Sequence, residues 1–325
     1  MNRRAFLKTL GAGGAVLAAP TAAATLLARD AAAASGEPLA TLYDLSKCIG
    51  CGACVAACRD AHAADYPEPK KPFPKMYPAR VKAEDFSDKR DVDDRLTPYN
   101  WLFIQSADVT VNGQPVTVNI PRRCMHCSHP PCVELCPWGS AVRHDDGAVA
   151  IDPKICLGGS KCRSVCPWHI PQRQTGVGLY LDLLPAFAGN GVMYKCDRCH
   201  TRVAAGGKPA CLEACPQNVQ SIGPRSEILA AARALAKSTG GFIYGETENG
   251  GTGTIYVSPV PFAELDAALD KGPGRPGLHA AADVMGKEQN LATAVLLAPL
   301  AGIAAGVLRL TNRVKTAVRK EDDHA

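Results

Sequence analysis

A chain of 325 residues with 46% hydrophobic composition can bury a core unaided, so its 15 cysteines serve something other than stapling a small fold. The formal charge of +5 gives no basic face: the surplus lies in residues 1–34 and in the tail after Leu308, and the stretch between is balanced. Nucleic-acid binding therefore has no support, and no nucleophile elbow, phosphate-cradling loop or metal-protease motif in the body supports catalysis.

The N-terminus places Arg3 and Arg4 before a run rich in Ala, Gly and Leu, with Ala32 and Ala34 as a cleavage site. This order of charged, apolar and small residues reads as a twin-arginine export signal over residues 1–34, which puts the body on the periplasmic side.

An oxidising compartment makes disulfides the first alternative for a Cys-rich chain, but the spacing argues against them. The segment CIGCGACVAAC carries Cys48, Cys51, Cys54 and Cys58, and three further groups follow. They are Cys124, Cys127, Cys132 and Cys136; then Cys156, Cys162 and Cys166; then Cys196, Cys199, Cys211 and Cys215. Each group ends with three residues before its last cysteine, and Pro137, Pro167 and Pro216 directly follow that cysteine. This is the run of bacterial ferredoxins, in which the fourth cysteine ligates the neighbouring cluster. Zinc also uses Cys-x-x-Cys pairs, but it has no need of three close cysteines with a displaced fourth. The sequence CDRCH from Cys196 to His200 matches a c-type haem attachment pattern; assigning it so would strand Cys211 and Cys215. His200 and His126 read instead as polar neighbours of the thiols.

The third run explains the odd total. In CLGGSKC, from Cys156 to Cys162, Gly159 stands where the middle cysteine of the pattern belongs. The simplest outcome is one [3Fe-4S] cluster beside three [4Fe-4S] clusters. The alternative is four [4Fe-4S] clusters, with water or Ser160 on the open corner.

Residues 61–98, rich in Pro, Lys and Asp, read as a surface insertion open to a partner. Short helices after the cysteine turns, with strands around Val116–Ile120 and Ala148–Ile151, give an α+β ferredoxin-like body over 35–286. Residues 241–258 read as a hairpin. Residues 287–310 contain an uncharged run from Leu291 to Leu308, about 27 Å long at 1.5 Å per residue, which reads as a transmembrane helix. Ala294, Ala298, Gly302 and Gly306 form a small-residue stripe on it, suited to a membrane partner subunit. Basic residues in the tail 311–325 place that end in the cytoplasm.

The four runs, with RRAFLK from Arg3, LYDLSKCIGC from Leu42, CMHC from Cys124 and YGETENGGTGTIY from Tyr244, resemble the four-cluster subunits of bacterial respiratory oxidoreductases. Within that group they most resemble the iron-sulfur subunit of the periplasmic, quinone-linked nickel-iron hydrogenase. The resemblance implies nested ferredoxin-like cluster pairs, residues 41–60 with 190–225 forming one and 100–185 the other. It implies one cluster on Cys48, Cys51, Cys54 and Cys215, and a second on Cys58, Cys196, Cys199 and Cys211. A third would sit on Cys124, Cys127, Cys132 and Cys166, leaving Cys136, Cys156 and Cys162 for the incomplete one. The implied function is an electron relay without its own substrate site. The implied partners are the large and small hydrogenase subunits and a quinone-reactive membrane subunit. A molybdenum enzyme, such as a formate dehydrogenase or a sulfur-compound reductase, is the alternative client.

Overall fold

The computed structural model describes residues 36–76, 79–111, 113–183, 190–283 and 285. The expected export signal and transmembrane helix lie outside these residues. Among the described residues no helix is long and apolar enough to cross a membrane.

A mixed four-stranded sheet organises the body. Strand β1 (Leu39–Asp44) is central, with β8 (Gln220–Pro224) antiparallel on one side and β10 (Thr254–Ser258) parallel on the other. Strand β9 (Phe242–Tyr244) closes the edge, antiparallel to β10 with Tyr256 opposite Tyr244. The period of two along a strand sends alternate side chains to opposite faces. Ala40, Leu42, Ile255 and Val257 point one way, onto Ile228, Leu229 and Ala232 of helix α7 (Arg225–Thr239). Tyr43 and Tyr256 point the other way, into a larger core that contains Cys54, Cys58, Cys124, Cys127, Cys156, Cys162, Cys196 and Cys211. The sheet thus separates an ordinary helix-on-sheet layer from a core built around sulfur. Helix α7 stops at Gly240, whose φ of 65° permits the left-handed cap and whose N–H reaches the Ala236 carbonyl.

The sulfur core is assembled from very short pieces. Helix α1 (Ala53–Ala61) sets Cys54 and Cys58 four residues apart on its buried face and packs against α6 (Ala210–Glu213), which carries Cys211. Helix α2 (Pro131–Glu134), with Cys132, packs against α3 (Lys161–Val165), with Cys162. The first run therefore meets the fourth, and the second meets the third. Two small antiparallel pairs lie beside them: β4 (Ala141–Arg143) with β5 (Val149–Ile151), and β6 (Gln172–Gln174) with β7 (Val192–Tyr194). Helices α4 (Tyr180–Leu183) and α5 (His200–Ala204) complete this region. A longer ribbon of β2 (Phe103–Val111) and β3 (Gln114–Arg122) extends from the core, and α8 (Phe262–Ala268) packs on β2.

Beyond the end of α1, residues 62–98 contain only a 3-10 turn at Ala63–Asp65 as a helix or strand among the described residues. One side of the segment is committed to the body. Glu84 accepts from Arg163 at 2.7 Å through both oxygens and from Arg173 at 2.6 Å, and the Phe86 N–H donates to Gln174 Oε1 at 2.8 Å. Burial would raise the Glu84 carboxyl, but hydrogen bonds from Arg163 and the charges of both guanidiniums hold it below the usual range. A depressed carboxyl contributes stability above its unfolded pKa and loses it as pH falls through the folded one. The substitution Glu84→Ala is expected to cost about 1.5–3 kcal/mol by leaving two guanidiniums unpaired. Faster limited proteolysis within residues 61–98, with the cysteine core still protected, is the readout; unchanged cleavage would refute it.

Candidate functional site

The opening Cys-x-x-Cys turn is made the same way in the first, second and fourth runs. The residue before the second cysteine takes a left-handed backbone: Gly50 at φ 71°, His126 at 48° and Arg198 at 63°. Non-glycine residues pay a steric cost there, and such strain concentrates at functional positions. The turn aims amide N–H groups at sulfur: His126 N–H donates to Cys124 Sγ at 3.5 Å and Arg198 N–H to Cys196 Sγ at 3.4 Å. Val219 N–H reaches Cys215 Sγ at 3.4 Å and Met193 N–H reaches Cys156 Sγ at 3.5 Å. The third run repeats the turn, with Gly158 at φ 64°, so Gly159 occupies the place of the missing cysteine.

Two sets of thiols line cavities, and others lie close to one another. Cys48, Cys51, Cys54 and Cys215 line one cavity, together with Gly50, Gly52 and Pro216. Cys124, Cys127, Cys132 and Cys166 line another, with Lys195 in its wall. Cys58 lies within electrostatic reach of Cys196, Cys199 and Cys211. Cys162 lies likewise near Cys156, Cys132 and Cys136.

All 15 thiols are free, so none is joined in a disulfide. Among the described residues, the group whose ligand atoms all lie within 4.8 Å of one another is His62, Asp197 and Cys199, not a set of cysteines. Four thiolates on one tetrahedral zinc would be about 3.8 Å apart, given a Zn–S bond near 2.3 Å. The sulfurs are spread too widely for a single ion and suit a polynuclear centre.

Electrostatics agree. Burial, then repulsion from neighbouring thiols, pushes Cys54 up to about 12, and burial does the same to Cys132, Cys162 and Cys211. Burial and neighbouring thiols raise Cys58 and Cys127 well above the ordinary value as well. Thiols crowded this way ionise only with metal to neutralise them. Cys136 is the exception: burial opposes ionisation, but hydrogen bonds from the Ser140 hydroxyl and nearby amides outweigh it and lower the thiol.

Of the two histidines singled out from the sequence, His126 touches sulfur. Val149 N–H donates to its Nδ1 at 3.0 Å, which leaves the proton on Nε2, 3.7 Å from Cys196 Sγ. His200 stacks on His144 with ring centroids 3.5 Å apart, and its Nδ1 lies 3.4 Å from Asp146. Asp146 sits in the turn before Gly147, accepting from Ala148 N–H at 2.8 Å, and it also faces Arg198. His62, which sequence reading passed over, places Nε2 3.4 Å from Cys199 Sγ. Burial would lower it, yet the bonds to Cys199 and Asp65 and the charge of Asp197 raise it to about 9. His62 stands just past the end of α1, four residues after Cys58, and its sulfur partner lies 137 residues along the sequence.

Two family models match the sequence, both described as a 4Fe-4S dicluster domain, over residues 116–225 and 47–140. The hydrogenase-2 operon protein HybA of Escherichia coli O157:H7 is 30% identical over 305 residues, covering 82% of this chain and 83% of that protein. The protein belongs to this family of iron-sulfur electron-transfer subunits. A subunit of the anaerobic dimethyl sulfoxide reductase of Escherichia coli K12 is 30% identical over 185 residues, 57% of this chain and 73% of that subunit. A protein of Nitratidesulfovibrio vulgaris is 29% identical over 269 residues, 81% of this chain and 66% of its own length. Members of the family serve oxidoreductase complexes as electron carriers, not as catalytic subunits, and the matched domains are of the iron-sulfur cluster type.

Proposed function

We propose that this subunit relays electrons from a periplasmic nickel-iron hydrogenase to a quinone-reactive membrane subunit. Three [4Fe-4S] clusters and one [3Fe-4S] cluster supply one-electron transfer when bound. Cys48, Cys51, Cys54 and Cys215 hold the first. Cys58, Cys196, Cys199 and Cys211 hold the second; Cys124, Cys127, Cys132 and Cys166 hold the third. Cys136, Cys156 and Cys162 hold the three-iron centre. The chain's own residues fix the thiols, exclude water from the inner sets and donate amide N–H groups to sulfur, which favours the reduced state.

The ends of the row are open. Cys51 is exposed beside Ile49, 61% exposed, and Trp138, 60% exposed, stands two residues after Cys136. Such exits suit contact with an electron donor and an acceptor. Residues 1–34 export the folded protein by the twin-arginine route. Residues 287–310 anchor it in the membrane beside its partner.

The likeness to HybA over most of both sequences carries the choice of hydrogenase. The match to the dimethyl sulfoxide reductase subunit supports a second reading, a molybdenum-enzyme client. Gentle detergent extraction and purification of the tagged full-length protein separates the two. A co-purifying large subunit containing nickel is the expected result; molybdenum in its place would transfer the relay to the second client.

A further inference from the structure

Of the cations buried where the second and third cysteine sets approach each other, Arg198 faces Asp146, whereas Arg123 and Lys195 have no carboxylate in contact among the described residues. Arg123 is 1% exposed, its Nε, Nη1 and Nη2 make no hydrogen bond, and its guanidinium lies 5.3 Å from the Tyr43 ring centroid. The groups whose charge it feels are Tyr43, Cys196, Cys211 and Tyr256, and burial pushes both phenols up, so they stay neutral. A guanidinium in this state is costly unless an anion sits against it. Lys195, 6% exposed, donates through Nζ to the Val149 carbonyl and to the Cys196 carbonyl at 3.0 Å, and it forms part of the wall around Cys124, Cys127, Cys132 and Cys166.

The placement is crossed. Arg123 directly precedes Cys124 of the third set, yet it faces Cys196 and Cys211 of the second. Lys195 directly precedes Cys196 of the second set, yet it lines the cavity of the third. We propose that Arg123 and Lys195 are crossed internal counter-charges, each carried next to a ligand of one inner cluster and stabilising the reduced form of the other. This rests on the cluster reading above. A cluster gains one unit of negative charge when it accepts one electron, so a fixed positive charge beside it favours that state. In a water-poor interior the effect is far larger than at the surface. The arrangement also ties the two potentials to one structural feature, since the backbone that ligates each cluster carries the charge of its neighbour.

The test uses the full-length protein purified anaerobically, with dithionite as reductant, ferricyanide as oxidant and electron paramagnetic resonance as the readout. Arg123→Met and Lys195→Met are compared with the charge-keeping Arg123→Lys and Lys195→Arg. Each neutral variant is expected to lower the midpoint of one inner cluster. At the wild-type midpoint its reduced-to-oxidised ratio should fall at least about tenfold, which is about 59 mV for a one-electron couple. The charge-keeping variants should hold the wild-type ratio, and the two neutral variants should move different clusters. Loss of an inner cluster from a neutral variant, with retention in its charge-keeping partner, supports the same role. Full iron with unmoved midpoints overturns the proposal, as does equal iron loss in neutral and charge-keeping variants, or movement of one cluster by both. Wild-type protein without iron or sulfide would instead remove the cluster reading itself.

Discussion

Gly159→Cys is expected to add roughly one iron per chain and to abolish the paramagnetic signal of an oxidised three-iron cluster. Local geometry makes this substitution unusually permissive. The third run folds like the others, with the left-handed turn at Gly158 preceding the position that holds cysteine elsewhere. A Cβ on Gly159 would meet nothing within 4 Å, whereas one on Gly158 would collide with the Gly191 carbonyl. The neighbouring glycine is therefore sterically required and Gly159 is not. Ser160 is otherwise engaged, its hydroxyl lying 3.4 Å from the Gly158 carbonyl and from Met193 Sδ, so it makes a poor fourth ligand as placed. Iron analysis and resonance spectra of wild type and variant, prepared together without oxygen, settle the matter. Wild-type protein with no three-iron signal, or a variant whose iron count does not rise, would show that the open corner was already filled.

Much of this site was legible because ferredoxin runs are local. Spacing within eleven residues is enough to declare that Cys48, Cys51 and Cys54 share a centre, since a tight turn and one turn of helix bring them together. The nesting of runs was not legible from spacing, because which helix packs on which depends on contacts between distant segments. It entered through resemblance; in the structure α1 packs on α6 and α2 on α3. Short strands such as β6 and β7 carry too few residues to show a period. The parallel pairing of β1 with β10, Thr41 opposite Thr254, leaves no local trace because more than two hundred residues intervene. His62 escaped for the same reason, its sulfur partner lying 137 residues away. Arg123 and Lys195 were in plain view beside cysteines, but a cation's burial is not written in its neighbours along the sequence.

Removing iron is expected to unfold the sulfur core while sparing part of the sheet. Helices of four or five residues, such as α2, α3, α5 and α6, fall far below the length at which a helix persists alone, about 12–15 residues. The three-residue pairs β4–β5 and β6–β7 are no more self-sufficient. Bonds from thiolates to a metal centre hold these pieces, and binding free energy then acts as folding free energy. The other layer differs: α7, with 15 residues, buries Ile228, Leu229 and Ala232 against Ala40, Leu42, Ile255 and Val257 without any sulfur. After chelation under reducing conditions, hydrogen exchange should accelerate at least about a thousandfold over residues 48–58, 124–136, 156–166 and 196–215, and much less in α7 and β1. Wherever the core folds without metal, its pH dependence has a definite sign. Burial raises Cys54, Cys132, Cys162 and Cys211 to about 12, so the folded state keeps protons that the unfolded state gives up near the ordinary thiol pKa of about 8.5. Stability contributed by these thiols is therefore complete below that pKa and drains away as pH rises toward 12. Exchange rates in the cysteine segments that match those of the iron-loaded protein would mean that side-chain packing, not metal, holds this core.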